Sequence, residues 1–347
     1  MSNSFEDFES RKQDHIRLAL DQRTQNVVNS GFGRIKLIHQ ALPEINFHEV
    51  SLDTNLLGKA FKSPHFISSM TAGHKDSLTI NRNLALAAKQ NSWLMSVGSQ
   101  RRELTEEKAT AEWTQITSEI SDLNLVSNIG ILELLSAGPD KVIKLAENLK
   151  AIGIYIHLNP LQEVFQGTEF INFKGALASI KALAKQSPVP ILVKEVGFGI
   201  TKDLSLQLFE AGVRVVDVAG KGGTHWGYIE ALRQKPESIF YKAADAFADW
   251  GHSTVDCLIE LQDAALFNQV WASGGVRNGV DSAKCLALGA RAVGIAQPLM
   301  KAAVESELQV NEKMQEFDFQ LKTAMFCMGL DSCEQFLHKK VWYDTKN

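Results

Sequence analysis

Eight short apolar runs recur along the chain, and helix-period segments fill the gaps between them. The runs lie near 64–70 (PHFISSM), 93–97 (WLMSV), 124–129 (NLVSNI), 153–158 (GIYIHL), 190–196 (PILVKEV), 213–218 (VRVVDV), 269–273 (QVWAS) and 291–296 (RAVGIA). Helical periodicity covers 77–91, 106–120, 139–151, 173–186, 201–211 and 278–289, with a longer segment at 226–265 and a last helical region after 297. Continuous apolar strands alternating with helices belong in a parallel sheet covered on both faces. Eight such units predict an α/β chain folded as a (β/α)8 TIM barrel. A doubly wound open sheet ranks second, because no G-x-G-x-x-G fingerprint follows an early strand. Residues 5–20, with Phe5, Phe8 and Ile16 on one side, predict an amphipathic helix, and the alternation in FHEVSL (47–52) predicts a strand. Together they make an N-terminal extension over 1–60. The barrel is expected to be one domain over 1–347, with an insertion or lid at 226–268.

Charge and cysteine usage narrow the function classes. The net charge is −4 and no run of Lys and Arg occurs, so nothing marks a nucleic-acid surface. Cys257, Cys285, Cys327 and Cys333 form no C-x-x-C pair and lie at no zinc-site spacing from His, so reduced, structural thiols are expected. The first residues, MSNSFEDFESRKQDHIRL, have no apolar signal core, and no stretch reaches membrane-spanning length. A cytoplasmic protein with no membrane or nucleic-acid partner is the expectation.

Parallel barrels carry their chemistry at the C-terminal ends of the strands. That explains why the apolar run AIGIYI ends in HLNPLQE (157–163), which crowds His157, Asn159, Gln162 and Glu163 at one mouth position. SGGVRNGVDSAKCLALGARAVGIAQP (273–298) supplies two glycines at a strand end and then a helix start, which suits a phosphate or else only a tight turn. Loops after strands seven and eight are the recurring phosphate site of this fold, which favours the first reading. Lys194 interrupts ILVKEV. Its neighbour Glu195 points to the opposite face of a strand, so a ligand-facing lysine is favoured over a neutralised pair. Such a lysine serves either an electron-rich ring or a Schiff base. Glu163 suits Mg2+, which takes one or two carboxylates, waters and substrate phosphates, though a lone Glu is usually surface. His157 is equally compatible with a satisfied core histidine. Arg101, beside Arg102 after GSQ, suits bidentate phosphate recognition. Arg11 and Lys12, taken alone, read as a solvated pair.

These stretches together resemble the flavin-dependent type 2 isopentenyl diphosphate isomerases over nearly the whole chain. The matching segments are RKQDHI (11–16), SSMTAG (68–73), SVGSQR (96–101), SNIG (127–130), HLNPLQE (157–163), VKEVGFGI (193–200), DVAGKGGTHW (217–226) and SGGVRNGVDSAK (273–284). The resemblance implies an FMN-binding barrel that interconverts isopentenyl and dimethylallyl diphosphate in isoprenoid biosynthesis. It implies FMN reduced by NADPH, a need for Mg2+, and a homo-oligomer, tetramer or octamer. It places the flavin against Met70, Thr71, Ala72, Ser99, Asn128, Lys194 and Thr224, and its phosphate on Gly274, Gly275, Val276, Arg277, Ala296 and Gln297. It places the diphosphate on Arg11, Lys12, Ser99, Gln100, Arg101 and Gln162, and Mg2+ on Glu163. Gln162 and His157 are the implied catalytic side chains. MTAG, Ala219, THW and AQP depart from the family's MTGG, serine, TSW and ARP. Competing readings are an FMN-dependent 2-hydroxy acid oxidase-like enzyme, a Schiff-base lyase on Lys194, and a flavin-binding scaffold without turnover.

Overall fold

The computed structural model describes residues 14–26, 30–70, 77–167, 171–262 and 269–346, apart from the side chains at 107 and 108. Its centre is an eight-stranded parallel barrel. The strands are β1 (His65–Ile67), β2 (Leu94–Ser96), β3 (Leu125–Gly130), β4 (Ile154–His157), β5 (Ile191–Lys194), β6 (Val215–Asp217), β7 (Val270–Trp271) and β8 (Val293–Ile295). Each pairs in parallel with the next, and β8 pairs with β1. The seam between β7 and β8 closes through Ala272, whose N–H donates to Ala292 at 2.9 Å and whose carbonyl accepts from Gly294 at 2.7 Å. All eight expected strands and the α/β alternation are therefore present.

Crossover helices α1 (Ser77–Asn91), α2 (Glu107–Glu119), α3 (Pro139–Leu149), α4 (Ala176–Gln186), α5 (Lys202–Glu210), α6 (Thr254–Gln262) and α7 (Gly279–Ala287) follow the first seven strands, and α8 (Glu307–Cys327) packs on α1 and α7. Between β6 and α6 lie the short helices Trp226–Leu232 and Ile239–Ala243 and a 3-10 turn at Ala244–Phe247. The strand expected at 47–52 is instead a 3-10 turn, Phe47–Glu49. The Asn46 side chain accepts from His48 N–H and captures the backbone locally. Of the expected helix at 5–20, residues 14–19 are helical, residue 20 is a turn and 5–13 lie outside the described residues. The four cysteines are unpaired, three of them buried.

The pleat sorts side chains into layers. Phe66, Leu94, Val126, Tyr155, Leu192, Val215 and Trp271 pack together in the barrel interior, while Ile67, Met95, Ile154, Ile156, Val193 and Val216 face the helices. The antiparallel hairpin Thr54–Leu56 and Lys59–Phe61 closes the floor, adding Leu56 and Phe61 to the interior cluster. Trp271 stacks over this floor, 5.0 Å from Phe66 and 6.4 Å from Tyr155 between ring centroids. It is 1% exposed. Trp271→Ala should destabilise the fold by about 3–5 kcal/mol, the cost of a large buried void. Urea unfolding checks this: the midpoint falls with the slope unchanged, and a change under 1 kcal/mol would mean that the floor collapses around the loss.

Candidate active site

Two residues beyond each floor residue the pleat brings the next inward side chain. Those positions are Ser68, Ser96, Asn128, His157, Lys194, Asp217, Ser273 and Gly294. An apolar layer is thus followed directly by a polar one, and most of the latter opens on a single cavity at the C-terminal mouth. His157 arrives as the residue after Tyr155-Ile156 and ends β4. Pro160 then starts the helix Pro160–Gln166, which Gly167 stops at φ 73°. This one-turn change of course is what HLNPLQE encodes. It turns Gln162 and Glu163 toward the cavity from the first helical turn.

The expected residues Met70, Ser99, Arg101, Asn128, His157, Gln162, Glu163, Lys194, Thr224, Gly274, Gly275, Val276, Arg277, Ala296 and Gln297 all line this cavity. Arg11, Lys12, Thr71 and Ala72 lie outside the described residues. Gln100 is not brought to the cavity. It is 3% exposed and its Oε1 accepts from Ser127 Oγ and from Asn128 N–H, so it braces β3 from behind. Arg102 is held by Glu106 at 2.9 Å and by Glu112 at 3.8 Å, away from the cavity.

One wall is a glycine cradle. Gly274 and Gly275 have φ of 96° and 75°, a left-handed region that favours glycine. A Cβ on Gly274 would come within 2.1 Å of the Gly220 carbonyl, and one on Gly275 within 2.5 Å of the Gly222 carbonyl. The loops after β6 and β7 touch backbone to backbone, which only glycine permits. Beside them the helix Gln297–Glu305 begins at Ala296 with no side-chain cap. Arg277 donates to Gln297 Oε1 at 2.9 Å and to Gln25. Burial lowers its pKa, so it is a desolvated cation suited to an anion. Cradle, arginine and helix start together fit a phosphate group. The N-terminal segment is laced onto this wall, with Asn26 N–H donating to Gly223 at 2.7 Å and His225 N–H to Thr24 at 2.8 Å.

The opposite wall is carboxylate and amide. Asn159 donates to Glu163 at 2.8 Å and to Gln162 Oε1 at 3.3 Å. Gln162 donates in turn to Glu230 at 3.0 Å. Glu230 also meets His15 at 2.9 Å and Arg233 at 2.8 Å, and its side chain is fully buried. His15 packs edge-on against Trp226. His157 Nδ1 lies 3.0 Å from Asn128 Oδ1, and Arg101 meets Glu133 at 3.2 Å. His15, Glu133 and Glu230 were not among the residues singled out from sequence. His15 falls inside RKQDHI, where its spacing from Arg11 was the available signal, whereas Glu230 looks like any helix-surface acid. No cluster of three or more His, Cys, Asp or Glu exists among the described residues, so a cation here would have Glu163 plus waters and substrate oxygens.

His225, after the β6 glycines, has both ring nitrogens engaged. Its Nδ1 accepts from Tyr228 N–H at 3.0 Å and its Nε2 lies 3.0 Å from the Phe247 carbonyl. It caps the helix Trp226–Leu232, and burial lowers its pKa.

Comparison with other proteins settles the family. A model of FMN-dependent dehydrogenases matches residues 159–343. An isopentenyl-diphosphate delta-isomerase of Bdellovibrio bacteriovorus is 42% identical over 98% of this chain and 99% of its own. The chain belongs to the isopentenyl-diphosphate delta-isomerase family. A member from Oceanobacillus iheyensis is 39% identical over 94% of this chain and 93% of that one. Among solved structures, a flavocytochrome b2 variant with benzoylformate aligns with a TM-score of 0.69 at 17% identity, over 96% of this chain and 84% of that one. A mandelate oxidase variant aligns with a TM-score of 0.65 at 17% identity, over 97% and 98%. At such identity these two share the barrel fold alone with the isomerase family member described above.

The buried network at Glu230 makes a pH prediction. Burial alone would raise its pKa, but His15, Gln162 and Arg233 outweigh it and hold it at about 2, below the ordinary 4.5. A carboxylate depressed in the folded state adds stability above the ordinary value and loses it as pH falls toward the folded one. Wild type should therefore lose more stability than Glu230→Gln between pH 4.5 and 2, read as denaturation midpoints across that window. Parallel profiles for the two proteins would contradict this electrostatic account.

Proposed function

We propose that this protein interconverts isopentenyl and dimethylallyl diphosphate at FMN kept reduced by NADPH, with Mg2+ bound, as a cytoplasmic homo-oligomer. The observation that carries the reading is one cavity in which the phosphate-fitting glycine cradle faces the Arg101, Gln162 and Glu163 wall across a buried lysine. Family membership supports the same activity, and the match to FMN-dependent dehydrogenases supports the flavin.

Moving the double bond requires a proton added at one carbon and a proton removed at another, with no net redox change. An unactivated alkene is a weak base, so positive charge that develops on it must be stabilised. Reduced FMN supplies an electron-rich ring for that charge and an exchangeable proton. Gly274, Gly275, Val276, Arg277, Ala296 and Gln297 would hold its phosphate. Met70, Ser99, Asn128, Lys194 and Thr224 would hold its ring, joined by Thr71 and Ala72. Arg101, Ser99 and Gln162, with Arg11 and Lys12, would bind the diphosphate, and Glu163 would bring Mg2+ to the same oxygens. Holding the diphosphate lets remote binding energy orient the alkene. Gln162, pinned between Asn159 and Glu230, and His157, pinned by Asn128, present fixed polar atoms to the alkene and orient or assist the proton movement. Trp226 narrows the mouth beside His15 and helps exclude water.

Purified protein with isopentenyl diphosphate, FMN, NADPH and Mg2+ without oxygen should form dimethylallyl diphosphate, and omission of flavin, reductant or metal should abolish it. No product from folded, flavin-loaded protein would refute the reading. Replacing Gln162 or His157 singly should leave measurable turnover. Complete loss with intact flavin and substrate binding would assign the acid to that side chain instead. Glu163→Gln should raise the Mg2+ concentration needed for half-activity by more than the roughly 10- to 100-fold typical of losing an outer-shell partner. An unchanged metal requirement would place the cation elsewhere.

A further inference from the structure

Lys194 and Asp217 face each other in the register of β5 and β6, and both side chains point into the barrel. Lys194 is 5% exposed and reaches the cavity, whereas Asp217 is 0% exposed and lies behind the lining. Asp217 takes no part in the chemistry above, yet a buried carboxylate is costly unless something uses its charge. Its Oδ1 accepts from Ser273 Oγ at 2.8 Å and from Ala219 N–H at 3.3 Å. Its Oδ2 and the Tyr155 hydroxyl in the layer beneath take no other hydrogen bond among the described residues. The two are close enough for the carboxylate to raise the phenol's pKa beyond what burial does.

Of the described titratable groups that face Lys194, Asp217 and then Glu195 oppose the loss of its proton. His157 is its register partner on β4 and is tied to Asn128. Tyr155 lies one layer down. Glu195 turns its carboxylate to its own loop, where Oε2 accepts from the N–H groups of Val196, Gly197 and Phe198 at 2.6–2.8 Å. Burial still pushes it up to about 7. Among the described residues, the Lys194 ammonium donates its hydrogen bond to the Glu195 backbone carbonyl, at 2.8 Å. Burial lowers the pKa of Lys194 and raises that of Asp217, and each charge is the first to oppose the other's shift.

We propose that Asp217 is a positioning residue that keeps Lys194 an ammonium and thereby raises the reduction potential of the bound flavin, a role that rests on the FMN reading above. An ammonium beside the ring favours its electron-rich reduced form, and a neutral amine does not. The effect passes through Lys194, so its sign is opposite to that of a bare negative charge near the ring.

The test is the midpoint potential of FMN bound to wild type, Asp217→Asn, Lys194→Met and the double variant, measured without oxygen against reference dyes. Asp217→Asn keeps an acceptor for Ser273 and Ala219. It should make flavin reduction at least tenfold less favourable, a fall of about 30 mV for a two-electron couple. Lys194→Met should lower the potential similarly, and adding Asp217→Asn to it should give no further fall. Asp217→Ser, smaller and still polar, should shift the same way as Asp217→Asn. A potential that stays unchanged, or rises, in both Asp217 variants would overturn the proposal. Flavin absorbance after gel filtration is read first. Wild type that retains no FMN would overturn the flavin reading and this proposal together, whereas retained flavin with an unshifted potential would overturn this proposal alone.

Discussion

The two-residue pleat inside a closed barrel governs everything above it. Parallel strands that are buried on both faces have no solvent side, so each inward position must be filled by its neighbours. The lower turn of the barrel meets this with Phe66, Tyr155, Leu192 and Trp271 over the Thr54–Phe61 hairpin. The next inward position on each strand must then be polar or small, because it meets the cavity. Tyr155 therefore carries His157 above it, Leu192 carries Lys194, and Val215 carries Asp217. A shift of one residue in any strand would bury the cavity groups among the helices and open the floor.

Close backbone approach is the second constraint, and it belongs to the loops. The turns after β6 and β7 press together where Cβ atoms added at Gly274 and Gly275 would strike the Gly220 and Gly222 carbonyls, while Gly220 and Gly222 are themselves crowded by Thr254 and Ser30. This contact turns two loops into one wall and aims Arg277 and the start of Gln297–Glu305 at the same point. The segment 14–26 is then laid over that wall, so that Gln25 reaches Thr224 and Arg277 while His15 reaches Glu230. The extension is thereby part of the site's mouth.

Much of this was legible in sequence because it rests on local pattern. Strand positions follow from apolar runs, and α1 at Ser77–Asn91 matches its periodic segment end to end. The glycine cradle and HLNPLQE are contiguous, so their side chains arrive together whatever the rest of the fold does. What escaped was non-local. Nothing in the helix Trp226–Leu232 announces that Glu230 faces His15 across some two hundred residues, and nothing in GSQRR says that Gln100 turns behind the strand to Ser127 while Arg101 turns to the cavity. The FHEVSL alternation misled for the reverse reason, since Asn46 caps a short turn that no strand partner contests. The helix Pro160–Gln166 was hidden because a seven-residue element carries too little periodicity to separate from a turn.

A barrel of the fold used by flavin oxidases should here move protons with no net redox change. The direct measurement is turnover of isopentenyl diphosphate in D2O without oxygen, with NADPH consumption counted against product. Many dimethylallyl diphosphate molecules should form per NADPH oxidised, with solvent deuterium in the newly formed methyl group. One NADPH consumed per product, or product free of solvent deuterium, would contradict it.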